Sequence, residues 1–299
     1  MSDEAAFIAA LRGLATHTGA RGLLDDCAVL ELGGETLVLT HDMMVEGVHW
    51  LSIQDPADVA WKLVSVNLSD LAAQGAEPIG ALLGYSLGAD DLRFIEGLRD
   101  ALDAFDCPLL GGDTVGGGKV QAHGLTAIGR ATHRPVPSRS SAQIGDAVWV
   151  TGALGAAMLG YDALRSGLDD QPSLRAFARP VPLLPEGRAL APLVTAMMDV
   201  SDGLLLDAAR LAAASGVCLT LQRDAIPLAP GVAQCGRADE ALRWGDDYQL
   251  LFTLPADTEP PVAATRIGEV RPAGVSPVLL DGAPPDPATP LGYLHRSSP

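Results

Sequence analysis

The chain has 299 residues, of which 48% are apolar and only 4% aromatic, so a sizeable core must be built largely from Ala, Leu and Val. It carries 20 basic and 37 acidic residues, and the formal charge of −17 disfavours nonspecific binding to nucleic acid or anionic membranes. The negative charge does not exclude a phosphorylated substrate, because divalent cations can lie between carboxylates and phosphates. Acidity that serves only solubility is the alternative.

The cysteines are isolated and form no C-x-x-C pair, which argues against a zinc site and a disulfide scaffold. The first residues are acidic where a signal peptide would be basic, and no apolar run reaches the roughly 18 residues of a membrane span. We therefore expect a soluble, cytoplasmic protein that binds neither nucleic acid nor membrane.

Two short apolar segments near the N-terminus predict a β-hairpin. Asp25 and Asp26 precede the first strand, and residues 36–41 form the second. Asp42 is expected where the second strand ends, in the same sheet as Asp26. A desolvated carboxylate at that place needs a partner or a metal.

A helix is predicted from residue 56 to residue 74, with Asp55 as its cap. Its apolar stripe ends in an acid, in the series Val59, Leu63, Val66 and Asp70. Asp70 is therefore expected on the inward face, with Asn67 one turn before it. The alternative is a helix end that emerges into solvent and leaves Asp70 wet.

A strand over 79–87, a helix over 90–105 and a short strand over 107–110 follow. The last runs into Gly111-Gly112-Asp113-Thr114 and the glycines of 116–118, whose N–H groups could meet an anion. This is not a Walker A loop, because Asp113 stands where its first glycine belongs and Val120 where Ser or Thr is required. A plain glycine-rich hairpin remains possible.

The second half begins after a Pro- and Ser-rich linker, and we predict domains over 1–135 and 136–299. It alternates between strands and helices, with predicted irregular stretches at 167–185 and 271–290 and a predicted helix over 188–196. Asp199 is expected at a strand end, just before Ser201-Asp202-Gly203 and a helix to about 214. The alternation favours an α/β or α+β fold.

The acids at element ends or on inward faces are mostly Asp, whose short side chain suits hard divalent cations. They are Asp25, Asp26, Asp42, Asp70, Asp113, Asp199, Asp202, Asp246 and Asp247. If they converge, several Mg²⁺ ions bridging phosphates would relieve their repulsion and support phosphoryl transfer. A glycosidase needs only two such acids, and the G-x-S-x-G elbow of a serine hydrolase is absent.

Six segments, in this order, resemble those of the thiamine-monophosphate kinase family in the aminoimidazole ribonucleotide synthetase superfamily. They lie at residues 24–30, 40–49, 66–76, 111–114, 199–204 and 245–252. The resemblance implies an α/β (α+β) two-domain fold. Its N-terminal mixed sheet would pair into a dimer barrel, beside a C-terminal α/β sandwich domain.

The resemblance also implies direct in-line transfer from ATP to thiamine monophosphate with several Mg²⁺ ions, in a homodimer with the nucleotide near its interface. The implied metal ligands are Asp26, Thr40, His41, Asp42, Asp70, Asp113, Asp199 and Asp202, and of these Asp42, Asp70, Asp113 and Asp202 would be catalytic. Phe105, Gly112, Asp113, Arg139 and Ser201 would contact the nucleotide. His49, Asp246 and Tyr293 would contact the thiamine phosphate.

Two departures from the family pattern concern the site itself. His41 replaces a usual Thr, so that only its backbone carbonyl could serve Mg²⁺ in the same way. Asp246 is one methylene shorter than the usual Glu. The alternatives are another ATP-dependent enzyme of the superfamily and a non-catalytic metal- or nucleotide-binding protein on the same scaffold.

Overall fold

The computed structural model describes residues 4–116 and 118–295, and its fold is built on two β-sheets. Elements of the first half are α1 (Glu4–Leu11), β1 (Ala28–Leu32), β2 (Glu35–Val45), α2 (Pro56–Ala73), β3 (Ala76–Leu87), α3 (Asp91–Ala104), β4 (Leu109–Gly116) and β5 (Ala122–Ala131). The sheet order is β1-β2-β5-β3-β4, with only β3 and β4 parallel. The predicted hairpin is confirmed as β1 and β2.

The second half forms a six-stranded sheet in the order β11-β8-β10-β6-β9-β7. Its elements are β6 (Ala147–Thr151), α4 (Ala156–Ser166), α5 (Gln171–Ala178), α6 (Leu184–Leu190), β7 (Ala196–Asp199), α7 (Leu204–Ser215), β8 (Val217–Leu221), α8 (Ala238–Ala241), β9 (Leu250–Leu254), β10 (Ala264–Pro272) and β11 (Val278–Leu280). The mixed α/β architecture that the sequence predicts is confirmed.

Helix α2 is the central element, and 15 of its 18 residues are buried. Asp55 caps it by accepting the Ala57 N–H at 2.9 Å, and Pro56 occupies its first turn. The helix packs on β2, β5 and β3 on one side and contacts α5, α6 and β7 on the other. A helix enclosed on all sides loses the usual polar face, so its polar residues must find partners within the protein.

One apolar core joins the two sheets. It runs from Val38 and Leu125 through α2 to Met197 and Phe252, while a second core lies between the other face of the second sheet and α7. Because this core is continuous and close-packed, it holds the two sheets and α2 in fixed positions relative to one another. The division into domains at residues 135 and 136 remains a proposal.

The structure corrects four element predictions. Strand β2 continues three residues past Asp42, and residues 111–114 extend strand β4 instead of forming a loop. Helix α5 lies in the stretch predicted as irregular, and α6 ends at Leu190, before the predicted helix end at 196. Asp42 and the glycines of residues 111–114 have low strand propensity, so the sequence did not predict strands there. Pairing with neighbouring strands overrides that low propensity in the folded protein. The predicted glycine-rich segment 116–119 includes Gly117, which lies outside the described residues.

Candidate active site

Three carboxylates from three separate elements converge between the two sheets. Asp26 precedes β1, Asp70 belongs to α2, and Asp199 is the last residue of β7; one oxygen of each lies within 4.8 Å of the others. Burial raises the pKa of Asp70 and Asp199 well above the ordinary value, and neighbouring aspartates raise it further. Carboxylates held together in this way are stabilised by a hard cation.

Strand β2 adds Thr40 and Asp42 to this cluster from its inward face. The Thr40 hydroxyl donates to Asp70 Oδ2 at 2.5 Å. Asp42 keeps an exposed surface, yet loss of solvation by the surrounding protein raises its pKa to about 6, and the charges of Asp26 and Asp202 raise it further. The side chain of His41 lies on the opposite face, where its Nδ1 is 2.9 Å from Thr126 Oγ1.

The segment between β7 and α7 brings Ser201 and Asp202 to the same cleft. Asp207, fully buried on α7, accepts the Ser201 and Asp202 N–H groups at 3.1 and 3.0 Å. Arg210 pairs with both Asp202 and Asp207. Burial, followed by the charge of Asp202, raises the pKa of Asp207 to about 7. This carboxylate fixes the loop, so that Asp202 faces the cluster.

Arg139 comes from the linker between the halves and is only 8% exposed. Its guanidinium pairs with Asp26, and its Nε lies 3.9 Å from Asp25 Oδ1. Asp25 itself is held by Arg21, at 2.8 Å, and by the Gln74 amide at 3.0 Å. A cation is therefore fixed at the edge of the acidic cluster, where a phosphate would need one.

The three predicted substrate residues lie together beside the cluster. The rings of His49 and Tyr293 lie 5.3 and 5.0 Å from that of His295. The Asp246 N–H donates to Ser201 O at 2.9 Å, and the Tyr293 N–H donates to Asp202 O at 2.9 Å. The segments that carry Asp246 and Tyr293 are thus tied to the loop that carries Ser201 and Asp202.

Asp113 and Gly112 do not reach the cluster of their own chain. They lie on β4, with β3 and β5 between that strand and β2, a separation of about 14 Å. The strand pairing also places Asp113 on the outer face of the sheet, opposite the face that carries Asp42. A Cβ at Gly112, whose φ is +151°, would lie 1.9 Å from Leu83 O, so glycine is required there for packing alone.

Phe105 is also distant from the cluster within one chain. Its ring packs edge-on against Trp61 at 5.2 Å. Asp70 follows Trp61 by nine residues of α2, which is two and a half helical turns and therefore the opposite side of the helix.

Sequence reasoning missed several residues that support the site. Ser69 donates to Asp199 Oδ2 at 2.5 Å. Asn67 was placed one turn before Asp70, but its partners were not predicted: it accepts the Asp42 N–H at 2.8 Å and donates to Leu63 O at 2.9 Å. Lys62 and Asp207 are the others, both nearly inaccessible to solvent. The available signal was the run of polar residues on a helix that must be buried on every side.

Within the described residues no helix is long and apolar enough to cross a membrane. All four cysteines are unpaired.

Two family models together match most of the chain. The model described as AIR synthase related protein, N-terminal domain, matches residues 24–131, and the model described as AIR synthase related protein, C-terminal domain, matches residues 143–275.

Curated relatives and solved structures match over most of their length as well. The thiamine-monophosphate kinase of Salmonella typhimurium is 36% identical over 252 residues, which is 78% of this chain and 76% of the relative. That of Aquifex aeolicus is 31% identical over 288 residues, 91% of this chain and 92% of the relative. A solved structure of AaThiL complexed with AMPPCP and TMP superposes with a TM-score of 0.89 at 29% identity, covering 98% of this chain and 97% of that one.

Proposed function

Because this chain belongs to the thiamine-monophosphate kinase family of AIR synthase related proteins, we propose that it phosphorylates thiamine monophosphate with ATP, giving thiamine diphosphate. The enzyme is a phosphotransferase whose acceptor is itself a phosphate group. AMPPCP is an analogue of ATP, and the similar structure that holds AMPPCP and TMP supports these two co-substrates.

The convergence of Asp26, Asp70 and Asp199 carries the proposal. These carboxylates come from both halves of the chain, and the predicted substrate residues His49 and Asp246 lie beside them. Two phosphorylated, negatively charged substrates can meet in so acidic a cleft only when cations neutralise the repulsion.

The residues present fit Mg²⁺. Carboxylate and hydroxyl oxygens are the ligands it prefers, and the burial and neighbouring aspartates that raise the pKa of Asp70 and Asp199 create a repulsion that a divalent cation would relieve. Asp26, Thr40, Asp42, Asp70, Asp199 and Asp202 would hold the ions from this chain, together with the backbone carbonyl of His41. When bound, the ions neutralise phosphate oxygens and the charge that develops during transfer.

The chain's own residues position the reactants. Arg139 presents a guanidinium beside Asp26, and Ser201 and Asp202 lie on a loop fixed by Asp207. The acceptor is a phosphate oxygen that is already largely ionised at neutral pH, so transfer needs no strong general base. We assign the aspartates to charge organisation, because positioning and electrostatic stabilisation supply most of the rate in phosphoryl transfer.

We further propose a homodimer that pairs through the outer face of the N-terminal sheet. This face exposes apolar side chains on three of its strands: Met43 on β2 is 54% exposed, Leu82 on β3 39% and Val115 on β4 53%. Large apolar side chains exposed on one sheet face favour association. Gly112 and Asp113 lie on the same sheet, so their proposed roles toward nucleotide and metal depend on this pairing. The role of Phe105 toward the nucleotide stays a proposal that rests on the family resemblance.

We propose the cytoplasm as the location. A chain that retains four unpaired cysteines suits a reducing compartment, and ATP is the proposed phosphoryl donor.

The direct test is a product assay with purified protein, ATP, Mg²⁺ and thiamine monophosphate. We expect thiamine diphosphate and ADP in equal amounts, and no product when a chelator removes Mg²⁺. Thiamine and aminoimidazole ribonucleotide precursors serve as control acceptors. Turnover of a control acceptor without thiamine diphosphate formation would instead favour another ATP-dependent enzyme of the superfamily.

A further inference from the structure

The two halves of the chain are joined at the substrate side by a buried lysine. The sequence contains only two lysines, Lys62 and Lys119, among its 20 basic residues. Lys62 lies on α2 and is 1% exposed. Burying an ammonium group costs several kcal/mol, and an apolar side chain could pack in the same place, so the charge needs a reason.

The Lys62 ammonium has a partner in each half of the chain. It donates to His49 O at 3.0 Å and to Asp246 Oδ2 at 2.9 Å, and it lies 4.1 Å from the centre of the Phe177 ring. The other Asp246 oxygen accepts the Tyr248 hydroxyl at 2.8 Å. Both oxygens of this shortened carboxylate are therefore engaged from within the protein.

The ring of His49 has a defined tautomer in this arrangement. The Val45 N–H donates to His49 Nδ1 at 3.0 Å, so Nδ1 carries no proton and Nε2 carries it. Burial lowers the pKa of His49, and His295 and Lys62 lower it further, while Asp246 raises it. The ring is a neutral hydrogen-bond donor through Nε2, which suits a phosphate oxygen.

We propose that Lys62 is a positioning residue of the thiamine-phosphate subsite, where it fixes the His49 main chain to the Asp246 carboxylate and so presents the His49 Nε2–H to the substrate phosphate. This inference rests on the proposed function. It assigns Asp246, in this chain, chiefly to holding Lys62 and Tyr248, in place of the reach to substrate that a longer Glu would have.

Kinetics of Lys62→Met test the inference, with Arg271→Met as the matched control on the exposed surface. The variant should raise the KM for thiamine monophosphate roughly 10- to 100-fold, because small misplacements cost that much, and leave the KM for ATP within about twofold. The acidic limb of the kcat/KM profile should move to higher pH, since a positive charge that disfavours protonated His49 is gone. An equal loss for both substrates with an unmoved pH profile would show a general structural role and overturn the inference.

A measurement on the unaltered chain covers the case in which Lys62→Met does not fold. Selective ¹³C labelling of lysine side chains should give two ε-carbon resonances, which Lys119→Arg assigns. Thiamine monophosphate should shift the Lys62 resonance and leave that of Lys119 in place; an unmoved Lys62 signal at saturation would overturn the inference. If the unaltered protein makes no thiamine diphosphate, the proposed function fails; if it is active and Lys62→Met keeps the KM, only this inference fails.

Discussion

At the scale of single residues, the site is a group of carboxylates whose ionised forms repel one another. Burial disfavours the ionised forms of Asp70 and Asp199. One short hydrogen bond stabilises each ionised carboxylate: Thr40 donates to Asp70, and Ser69 donates to Asp199. Such hydrogen bonds also fix the direction of the carboxylate oxygens, which is what a metal ligand requires.

Asp42→Asn should reduce kcat roughly 100-fold by removing a charge that organises Mg²⁺, a loss typical of an electrostatic contact. The pH profile should keep its shape, because Asp42 is not assigned as a base. Steady-state rates across a Mg²⁺ titration check this. Asp103→Asn, on the exposed side of α3, is the control; an Asp42→Asn enzyme with normal rate and normal Mg²⁺ dependence would contradict the assignment.

Ser69→Ala should weaken Mg²⁺ binding about tenfold, because Asp199 loses the hydroxyl that orients it. At saturating Mg²⁺ the kcat should recover. Ser65→Ala is a matched control on the same helix, since the buried Ser65 hydroxyl has no hydrogen-bond partner within the described part of the chain. Equal Mg²⁺ affinity in the two variants would exclude this role for Ser69.

At the scale of elements, α2 organises the fold and the site at once. It carries Asp70, Asn67, Ser69 and Lys62 from one continuous helix that touches both sheets. Its approach to α3 is close, because a Cβ at Gly97 would lie 2.1 Å from Ala57 O.

Gly97→Ala should therefore destabilise the protein by about 1–3 kcal/mol through overpacking, although Ala is otherwise favoured over Gly inside a helix. Urea denaturation measures the change in the free energy of unfolding. Arg99→Ala on the exposed face of α3 should change it little. A stabilised Gly97→Ala variant would show that α2 and α3 can separate without cost.

At the scale of the whole molecule, the acidic cleft makes stability depend on pH and Mg²⁺. The pKa values of Asp42, Asp207 and Asp247 are about 6, 7 and 7, above the ordinary 3.8. The unfolded chain binds fewer protons than the folded one between 3.8 and these values, so stability falls as pH rises through about 6 to 7. Without metal, Tm should be higher at pH 5 than at pH 8.

Mg²⁺ should reduce this pH dependence, because it stabilises the ionised carboxylates of the cluster. Calorimetric scans from pH 5 to pH 8, with a chelator or with Mg²⁺, test the prediction. Asp207 and Asp247 are not proposed ligands, so part of the dependence should persist. If Mg²⁺ raised the Tm by the same amount at every pH, that result would contradict a metal site built from the carboxylates of the cluster.

Leu82→Asp should convert the proposed homodimer into monomers, because it places a charge in the exposed apolar face of the N-terminal sheet. Light scattering after size-exclusion chromatography measures the mass. Leu92→Asp, on α3 at 78% exposure, should leave the mass unchanged. A Leu82→Asp protein that stays dimeric would move the interface elsewhere.

The sequence by itself determined the hairpin of β1 and β2, the burial of Asp70 on the stripe of α2, the mixed α/β class and, through its ordered motifs, the family. These features depend on local periodicity and on caps such as Asp55, which act within a few residues. Where β2 ends and what residues 111–114 form could not be read, because pairing with distant strands decides both.

Only the tertiary structure decided which acids share a site. Asp26, Asp70 and Asp199 meet because α2 is enclosed between two sheets, whereas Asp113 lies on the outer face and is separated from the strand of Asp42 by two intervening strands. The partners of Ser69, Asn67 and Lys62 were likewise invisible in the sequence. A buried polar side chain is recognisable only when the surrounding elements have removed its water, and that removal depends on the packing of the whole chain.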